Sequence, residues 1–366
     1  MIKQTLHQIL TTVADLSITL QQSNGSFSSG HNGPYHDPET PVRNTAHFLY
    51  LFAELYSRTG SSTYKRAGEG AIEYLTSSAA RPYTKTFYHR DKAGKDRCNG
   101  LVGQAWCIEA LVRAATAYDR PDCYALAEEV FLLHPWDENV TVWKRVDVDG
   151  TVLSHDGTFN HQLWFAAAAA QLVETSAAQQ RAKLFLENVA SRVETYPDGV
   201  IFHGSVMRCL WGCLKNGPKE LVREIRSRRR KRTQREELRS KSVGYHAFNL
   251  YAYALLRSAY PRNLVWQKEL VQRLLEPCES TSFNDELSDS EFGYRYNISG
   301  VELAYAVRVL RDDRSLSETW LNRQFDLTYL SSSQPLSRGT VDLHTASARI
   351  YEAARLPDDY EVSIEG

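Results

Sequence analysis

The chain has 366 residues, of which 42% are apolar and 24% are charged. This is the composition of a globular protein with enough material for a large buried core, and it excludes an intrinsically disordered chain. The formal net charge is −1, so the overall charge indicates neither a nucleic acid nor an acidic surface as the partner. No run of about 18 apolar residues occurs, which excludes a transmembrane helix.

Two further features predict a cytoplasmic protein. Residues 1–22 lack the basic head, the unbroken apolar run and the small-residue cleavage site of a secretion signal. The six cysteines are irregularly spaced, and no second cysteine pair or histidine pair accompanies Cys209 and Cys213. We therefore expect reduced thiols rather than a disulfide framework or a zinc site.

Apolar and amphipathic helices alternate along the chain, beginning with an amphipathic segment at residues 2–22. The spacing of apolar residues by three and four predicts each helix. Apolar helices are predicted at residues 45–58, 101–118, 159–175, 245–260, 298–310 and 345–355. Amphipathic helices follow the first five of these, at residues 62–76, 123–133, 179–195, 264–275 and 316–325.

This order predicts an all-α fold in which six helical hairpins close into an (α/α)6 toroid. The first helix lacks a preceding partner and the last lacks a following one, so the two can complete the sixth hairpin. Successive apolar helices begin about 46 to 85 residues apart, as in a repeat fold. An open solenoid would have polar caps at its ends, whereas both terminal helices are amphipathic. We expect one domain over residues 1–366, with short β-ribbons at one rim.

Three short segments, at residues 86–89, 140–143 and 199–203, have the β-like composition of such ribbons. One further stretch, at about residues 215–241, departs from the average charge. It contains twelve Lys or Arg and four Glu, a net charge of +8 that leaves −9 for the rest of the chain. The pattern predicts a basic helical excursion, either solvated and without a partner or binding phosphate, uronate or a partner protein through residues 226–239.

Polar and aromatic residues cluster where each apolar helix begins. Capping accounts for Asn and Asp at these positions, but not for Trp, Tyr, His and Arg at the same ends. In a closed ring these ends share one mouth, where we predict a substrate-binding site. Its candidate residues are Arg43, Asn44, His47, Asn99, Gln104, Trp106, His155, Asn160, Gln162, Trp164, Tyr245, His246, Asn249, Tyr294, Arg295, Tyr296, Asn297, His344 and Arg349.

These residue types suit a sugar. Aromatic rings stack on the apolar faces of pyranoses, while amide, imidazole and guanidinium groups hydrogen-bond hydroxyls and carboxylates. The positive ends of the inner helices favour an anion. The predicted partner is therefore an oligosaccharide or polysaccharide, an acidic one in particular, with a uronate held by Arg43 or Arg295.

The hairpin style resembles a known group of proteins. Residues 44–49 (Asn-Thr-Ala-His-Phe-Leu), the stop at Thr59-Gly60 and residues 64–67 (Tyr-Lys-Arg-Ala) look like six-hairpin carbohydrate-active proteins. That group includes unsaturated glucuronyl hydrolases, other (α/α)6 glycosidases and, more distantly, N-acylglucosamine 2-epimerases. Residues 32–44 also resemble proteins of glycan-assembly gene clusters of the Agl type. The resemblance implies a carbohydrate-active toroid, but the paired histidines of the epimerases are not evident.

Glycoside hydrolysis requires two carboxyl groups, one as a proton donor and one that activates water or attacks. Asp156 is the first candidate, because it immediately precedes an apolar helix rich in site-type residues. Glu302 is the second, because a carboxylate one turn inside an apolar helix must face a polar group. Its alternative role is an ion pair with Arg295 or Arg349. Asp342 is a further candidate, whereas Asp37 and Glu39 precede prolines and can simply shape a loop.

Two other functions stay open. A uronate lyase or a sugar epimerase would use a Tyr or His base and a cation. The residues that could supply this set are His161, Tyr245, His246, Tyr294 and Arg295, with Asn160. A glycan-binding protein of an assembly pathway would turn nothing over. The sequence has no zinc, calcium-loop, phosphate-loop or dinucleotide motif, so we expect no metal ion and no cofactor.

Overall fold

The computed structural model describes residues 2–204, 208–332 and 334–364. An inner ring consists of α2 (Val42–Thr59), α4 (Gly100–Tyr118), α6 (Phe159–Gln171), α10 (Arg239–Ala259) and α13 (Ser299–Arg311). The sixth position is filled by α15 (Leu343–Ala348), which continues as a 3-10 helix over Arg349–Arg355. Each member packs on the next, and the 3-10 helix packs against both α13 and α2. The predicted (α/α)6 toroid is confirmed.

A second layer of helices surrounds this ring. It consists of α1 (Leu6–Ile18), α3 (Ser62–Thr76), α5 (Pro121–Leu133), α7 (Ser176–Asn188), α11 (Glu269–Leu275), α12 (Thr281–Asp289) and α14 (Arg314–Thr328). Apolar residues on the inward faces of both layers form one core, and its inner helices are apolar almost all round. Residues 166–170 of α6 are five consecutive buried alanines, whose small side chains let neighbouring helices approach closely.

The two ends of the chain meet, as ring closure requires, but partly as strands. β1 (Ile2–Thr5) pairs antiparallel with β5 (Glu361–Ile364), and Lys3 forms an ion pair with Glu361 at 2.9 Å. The prediction that a helix begins at residue 2 was therefore wrong. Thr5 starts α1 instead, because its side chain accepts from the Gln8 N–H while Gln8 accepts from the Thr5 N–H.

The other three strands match only one of the three predicted segments, at residues 140–143. β2 (Trp136–Asp137), β3 (Val142–Val146) and β4 (Val152–His155) form one small antiparallel sheet. Residues 199–203 form only an isolated bridge, at Ile201, and residues 86–89 are followed by another at Arg90. The basic segment starts at the end of α8 (Leu210–Lys215) and contains α9 (Pro218–Thr233) ahead of α10. Among the described residues, none of the helices combines the length and the apolar character that crossing a bilayer requires.

Candidate active site

A cavity of about 380 Å³ lies where the inner helices begin. It is open to solvent at one end, and the loops ahead of α2, α4, α6 and α13 form its walls. Nine of the predicted site residues line it: Arg43, Asn99, Trp106, Asp156, Asn160, His161, Tyr245, Tyr296 and Asn297. Segments far apart in the sequence thus share one pocket, as the toroid prediction required.

Asp156 and His161 form a hydrogen-bonded pair in this wall. His161 Nδ1 lies 2.8 Å from Asp156 Oδ2, and the carboxylate also accepts from the backbone N–H groups of Leu101, at 3.1 Å, and Thr158, at 3.0 Å. Burial alone would raise the pKa of Asp156, but the imidazole and these N–H groups outweigh it and lower the pKa to about 2. Asp156 is therefore ionised at neutral pH, and it accepts the Nδ1 proton of His161 and orients the ring.

Gly100 allows this pair to form. Its φ is +60°, a conformation that favours glycine. A Cβ atom at this position would lie 2.5 Å from both Asp156 Oδ2 and His161 Nδ1. The backbone at the start of α4 can therefore approach the carboxylate closely enough for the Leu101 N–H to donate to it.

His203 is a cavity residue that the sequence analysis missed. Its ring centroid lies 4.5 Å from that of Tyr245, and its backbone N–H donates to Ser242 Oγ at 2.8 Å. Burial, followed by the charges of Lys241 and Lys231, lowers the pKa of His203 well below its usual value, so its imidazole is neutral. The charge of His161 contributes to the same shift. The cavity wall therefore includes two histidines, His161 and His203.

Three tyrosines beside His203 form a chain of hydroxyl groups. Tyr245 lies between Tyr35, at 2.9 Å, and Tyr296, at 3.4 Å, measured between hydroxyl oxygens. Tyr296 in turn donates to Asn32 Oδ1 at 2.8 Å. Burial raises the pKa of Tyr245 well above its usual value, so its hydroxyl keeps its proton, which it donates to Tyr296.

Cations outnumber carboxylates in the cavity wall. The cationic residues are Arg43, Arg90, Lys95, Arg145 and Lys241, and the carboxylates are Asp96 and Asp156. Arg43 pairs with Glu39 at 3.2 Å and stacks 4.3 Å from the Trp106 ring. Arg90 and Arg145 pair with Asp96, and Lys95 pairs with Asp37.

Lys241 differs from these four cations. Within the described parts of the chain it forms no ion pair with a carboxylate, and its ammonium lies over the rings of Tyr35, at 4.7 Å, and Phe292, at 5.2 Å. Burial lowers its pKa from the usual value, since the neighbouring rings replace water only in part. An anion in the cavity would therefore find an ammonium without a carboxylate partner.

Three predicted site residues form hydrogen bonds with backbone groups instead of lining the cavity. Gln104 bonds both the N–H and the C=O of Phe87, and Gln162 does the same to Trp143. His246 accepts from the Ile201 N–H at 3.1 Å and bonds the Leu274 C=O at 3.0 Å. Gln104, Gln162 and His246 are fully buried and lie outside the cavity, so the prediction that they contact substrate is corrected. They attach the segments ahead of their helices to the ring.

Glu302 and Arg349 lie beneath the cavity rather than in its wall. Arg349 bonds a carboxylate oxygen of Glu302, and it donates to Glu352 at 2.9 Å and to Asn297 Oδ1 at 2.9 Å. Burial raises the pKa of Glu302 to about 8, against the effect of Arg349. The structural alternative for Glu302, an ion pair with Arg349, is the one observed. The pair supports Asn297, which does line the cavity.

Asp342 is also a structural carboxylate. It caps α15 by accepting from the Thr345 N–H at 3.2 Å. It also accepts from the N–H groups of His31, at 2.8 Å, and Gly33, at 3.0 Å. The proposed role as a proton donor is therefore corrected, since Asp342 holds the loop that carries Asn32 into the cavity.

The remaining candidates also lie outside the cavity, and most have a structural partner. Asn44 donates to the Ser28 C=O, Trp164 to the Phe248 C=O, Asn249 to the Tyr245 C=O and Tyr294 to Asn284. His47 stacks on Tyr351 with 4.5 Å between ring centroids. His155 bonds Asp137, at 2.8 Å, beside a neighbouring surface pocket. Arg295 and His344 are exposed, so the uronate contact predicted for Arg295 is not formed within the cavity.

No group of three or more His, Cys, Asp or Glu side chains suited to a metal ion occurs in the described residues. The six cysteines form no disulfide, and Cys209 alone is exposed. The chemical groups of the cavity are therefore imidazoles, phenols, cations and ionised carboxylates.

No family model matches the chain. Archaeal glycosylation protein Q from Haloferax volcanii is 40% identical over 379 residues, which cover 98% of this chain and 99% of that protein. The chain belongs to the archaeal glycosylation protein Q family. The resemblance to glycan-assembly proteins is thereby confirmed, whereas the finer likeness to unsaturated glucuronyl hydrolases stays a prediction.

Solved structures share the fold of this family member at low sequence identity. A sugar epimerase from a ruminal bacterium matches with a TM-score of 0.61 and 12% identity, covering 96% of this chain and 98% of that one. Cellobiose 2-epimerase from Bacillus thermoamylovorans gives 0.59 and 9%, covering 95% and 98%. An alpha-1,6-mannanase from Salegentibacter sp. gives 0.55 and 12%, also covering 95% and 98%. At these identities the likeness shows the fold alone.

Proposed function

We propose that the protein is a sugar epimerase that inverts the carboxylate-bearing carbon of a uronate residue in a glycan. His161 and His203 are the proposed acid and base. The relative of 40% identity is named for glycosylation, and two of the similar structures are sugar epimerases. Both facts support a reaction on a sugar, and the cavity supplies the argument for the kind of reaction.

The pair of imidazoles carries the proposal. Asp156 accepts the Nδ1 proton of His161, so Nε2 is the nitrogen of His161 that can exchange a proton with the substrate. His203 is neutral because burial and nearby ammonium groups lower its pKa. Epimerisation needs one group that takes a proton from carbon and another that returns a proton on the opposite face. Two imidazoles in one cavity meet that need.

The cations of the cavity would stabilise the negative charge that develops during proton removal. Removing a proton beside a carboxylate places a second negative charge on the carboxylate oxygens, and a cation held there lowers the barrier. Lys241 is the proposed carboxylate partner, because its ammonium forms no ion pair with a carboxylate of the described residues and lies over the rings of Tyr35 and Tyr245.

The proposed reaction balances without any other reactant. One imidazole takes the proton from the carbon, and the electron pair of the C–H bond moves into the carboxylate to form an enediolate. The second histidine, which starts the cycle as an imidazolium, then gives its proton to the other face of that carbon and becomes neutral. The two histidines are left with exchanged protonation states, and transfer to water restores them.

Hydrolysis is a weaker candidate for this cavity. It requires a protonated carboxyl group as the acid, whereas hydrogen bonds and neighbouring cations overcome burial and lower the pKa of both Asp96 and Asp156. Glu302, whose pKa is raised, lies outside the wall and bonds Arg349. The likeness to a mannanase keeps the hydrolase as a second candidate to test, together with a lyase and a non-catalytic glycan-binding protein.

The test is incubation of the protein with uronate-containing oligosaccharides in D2O. We expect the epimeric uronate to form and to carry deuterium at the carbon beside the carboxylate, as read by NMR and mass spectrometry. His161→Gln and His203→Gln should each slow epimerisation by about 100-fold or more. His344→Gln, which changes an exposed histidine, is the matched control and should not slow it.

Other products would contradict the proposal. An unsaturated product absorbing in the ultraviolet would identify a lyase, and new reducing ends without deuterium would identify a hydrolase. Binding of the oligosaccharide without deuterium incorporation would identify a glycan-binding protein.

A further inference from the structure

Exposed apolar side chains are concentrated on α8 and α9. Of the 15 large apolar side chains exposed in the described residues, five lie within residues 210–225. Trp211 is 66% exposed, which is unusual for a residue that proteins generally bury. We name as the α8–α9 surface the five apolar residues Leu210, Trp211, Leu214, Val222 and Ile225 with the exposed arginines Arg226, Arg229, Arg230 and Arg232.

The helices present these residues on their outward faces. In α8, Gly212 packs against the backbone of Asn139, which turns Trp211 and Leu214 to solvent. In α9, Glu224 is buried, whereas Val222, Ile225 and the arginines that follow are exposed. Apolar side chains at the start of α9 and arginines toward its end make one amphipathic surface.

Ion pairs hold the inner face of α9 to Arg208, in the segment that precedes α8. Arg208 bonds Glu220 at 3.0 Å and Glu224 at 3.1 Å, and Arg228 bonds Glu224 at 3.0 Å. The outward arginines are not part of this network. The side chain of Lys231 lies against Gly204, next in the chain to the cavity residue His203.

We propose that the α8–α9 surface docks on a membrane surface that carries anionic lipids. Trp among Arg is the composition that interfacial helices use, with apolar side chains in the headgroup region and cations at the phosphates. Residues 215–241 carry +8 while the rest of the chain carries −9, so an anionic surface attracts this side and repels the remainder. The contact orients the protein and does not depend on the reaction in the cavity.

A bilayer fits this surface better than a protein does. The apolar side chains stand on the outward faces of two helices rather than lining a groove. A fluid interface accepts such protruding side chains without a complementary pocket, whereas a protein partner must supply one. The four exposed arginines lie within seven residues, and a dense, mobile layer of lipid phosphates can pair with all of them without a fixed arrangement of anions.

The test is flotation of the purified full-length protein with vesicles of phosphatidylcholine, with and without phosphatidylglycerol. We expect the protein to float with the anionic vesicles only and to be released by high salt. Arg229→Glu with Arg230→Glu should weaken binding by about 30-fold or more, from about 1 kcal/mol for each basic residue at the surface. Trp211→Ser should weaken it by about tenfold.

The control is a matched pair on another face, Arg262→Glu with Leu264→Ser, where Leu264 is 73% exposed. This variant should bind the anionic vesicles as the unaltered protein does. The proposal is overturned if the unaltered protein does not float, or if both sets of variants bind equally. It is also overturned if the surface instead joins two copies, so that Trp211→Ser converts a dimer to a monomer in light scattering without affecting flotation.

Discussion

Replacing Asp156 by Asn keeps the size of the side chain but reverses what it offers to His161. The carboxylate accepts three hydrogen bonds, from His161 and from the N–H groups of Leu101 and Thr158. The amide has one oxygen and one NH2 group, so at least one of these donors faces another donor. His161 Nδ1 then accepts rather than donates, and the proton moves to Nε2, where the proposed reaction needs a lone pair.

The magnitude follows from the pKa of Asp156. Lowering the pKa of a carboxyl group from 3.8 to about 2 stabilises the fold by about 2 kcal/mol at neutral pH. A buried donor left unpaired adds about 1–3 kcal/mol. We expect Asp156→Asn to lower the free energy of unfolding by about 3–5 kcal/mol and kcat by about 100-fold or more.

Denaturant unfolding and steady-state kinetics measure the two effects. Since the folded-state pKa of Asp156 lies below the unfolded value, its stabilisation is present above about pH 4 and is lost as the pH falls toward 2. The difference in the free energy of unfolding between the unaltered protein and Asp156→Asn should become smaller over that pH range. Asp147→Asn is the control, since Asp147 also accepts two backbone N–H groups but lies in the turn between β3 and β4. A kcat for Asp156→Asn within twofold of the unaltered protein would refute the reasoning.

Three further variants test separate parts of the account. Gly100→Ala should lower both stability and kcat, because the added Cβ would overlap the Asp156 carboxylate. Gly60 is the control, since its φ is also positive, at +67°, but a Cβ there would meet no atom within 4 Å. Gly60→Ala should lower the free energy of unfolding by only about 1–2 kcal/mol and leave the activity unchanged. Lys241→Met should raise KM for an acidic oligosaccharide by about tenfold or more, and Lys268→Met, at an exposed position, should not. Burial lowers the pKa of His246 from 6.5 to about 4, so between these pH values residue 246 is protonated only in the unfolded chain. The free energy of unfolding should therefore fall as the pH drops below 6.5, and His246→Gln should reduce that fall by up to about 3 kcal/mol. The same pH dependence of stability in both proteins would contradict this prediction.

Much of the fold was predictable because helices leave a periodic signal. The second outer helix was predicted at residues 62–76, and α3 spans Ser62–Thr76. The strand pair β1–β5 was missed because each strand has only four residues and its partner lies at the opposite end of the chain. Such short strands carry too few residues for an alternating pattern to appear.

The site was predictable only in part, for a geometric reason. Some polar residues near the start of an inner helix, such as Asn160 and Asn297, face the cavity. Others at similar positions, such as Gln104 and Gln162, have the same polar character but turn toward the backbone of a neighbouring segment. A sequence does not distinguish the two directions, because both satisfy a buried polar side chain.

The missed residues stand away from the predicted helix starts. His203 ends a β-like segment, and α8 and α9 separate it from the helix whose Tyr245 it contacts. Lys241 lies in α10, which begins at Arg239, whereas the predicted helix began at residue 245. Lys241 was therefore counted with the basic segment. Both residues reach the cavity through tertiary packing, which local sequence patterns do not encode.

The most direct test of the account is deuterium exchange by the single histidine variants with each of the two epimers separately. If two imidazoles act on opposite faces of one carbon, His161→Gln should exchange the proton of one epimer only and His203→Gln that of the other. Neither variant should interconvert the epimers at more than about one hundredth of the normal rate. Loss of exchange with both epimers in one variant and none in the other would contradict the account.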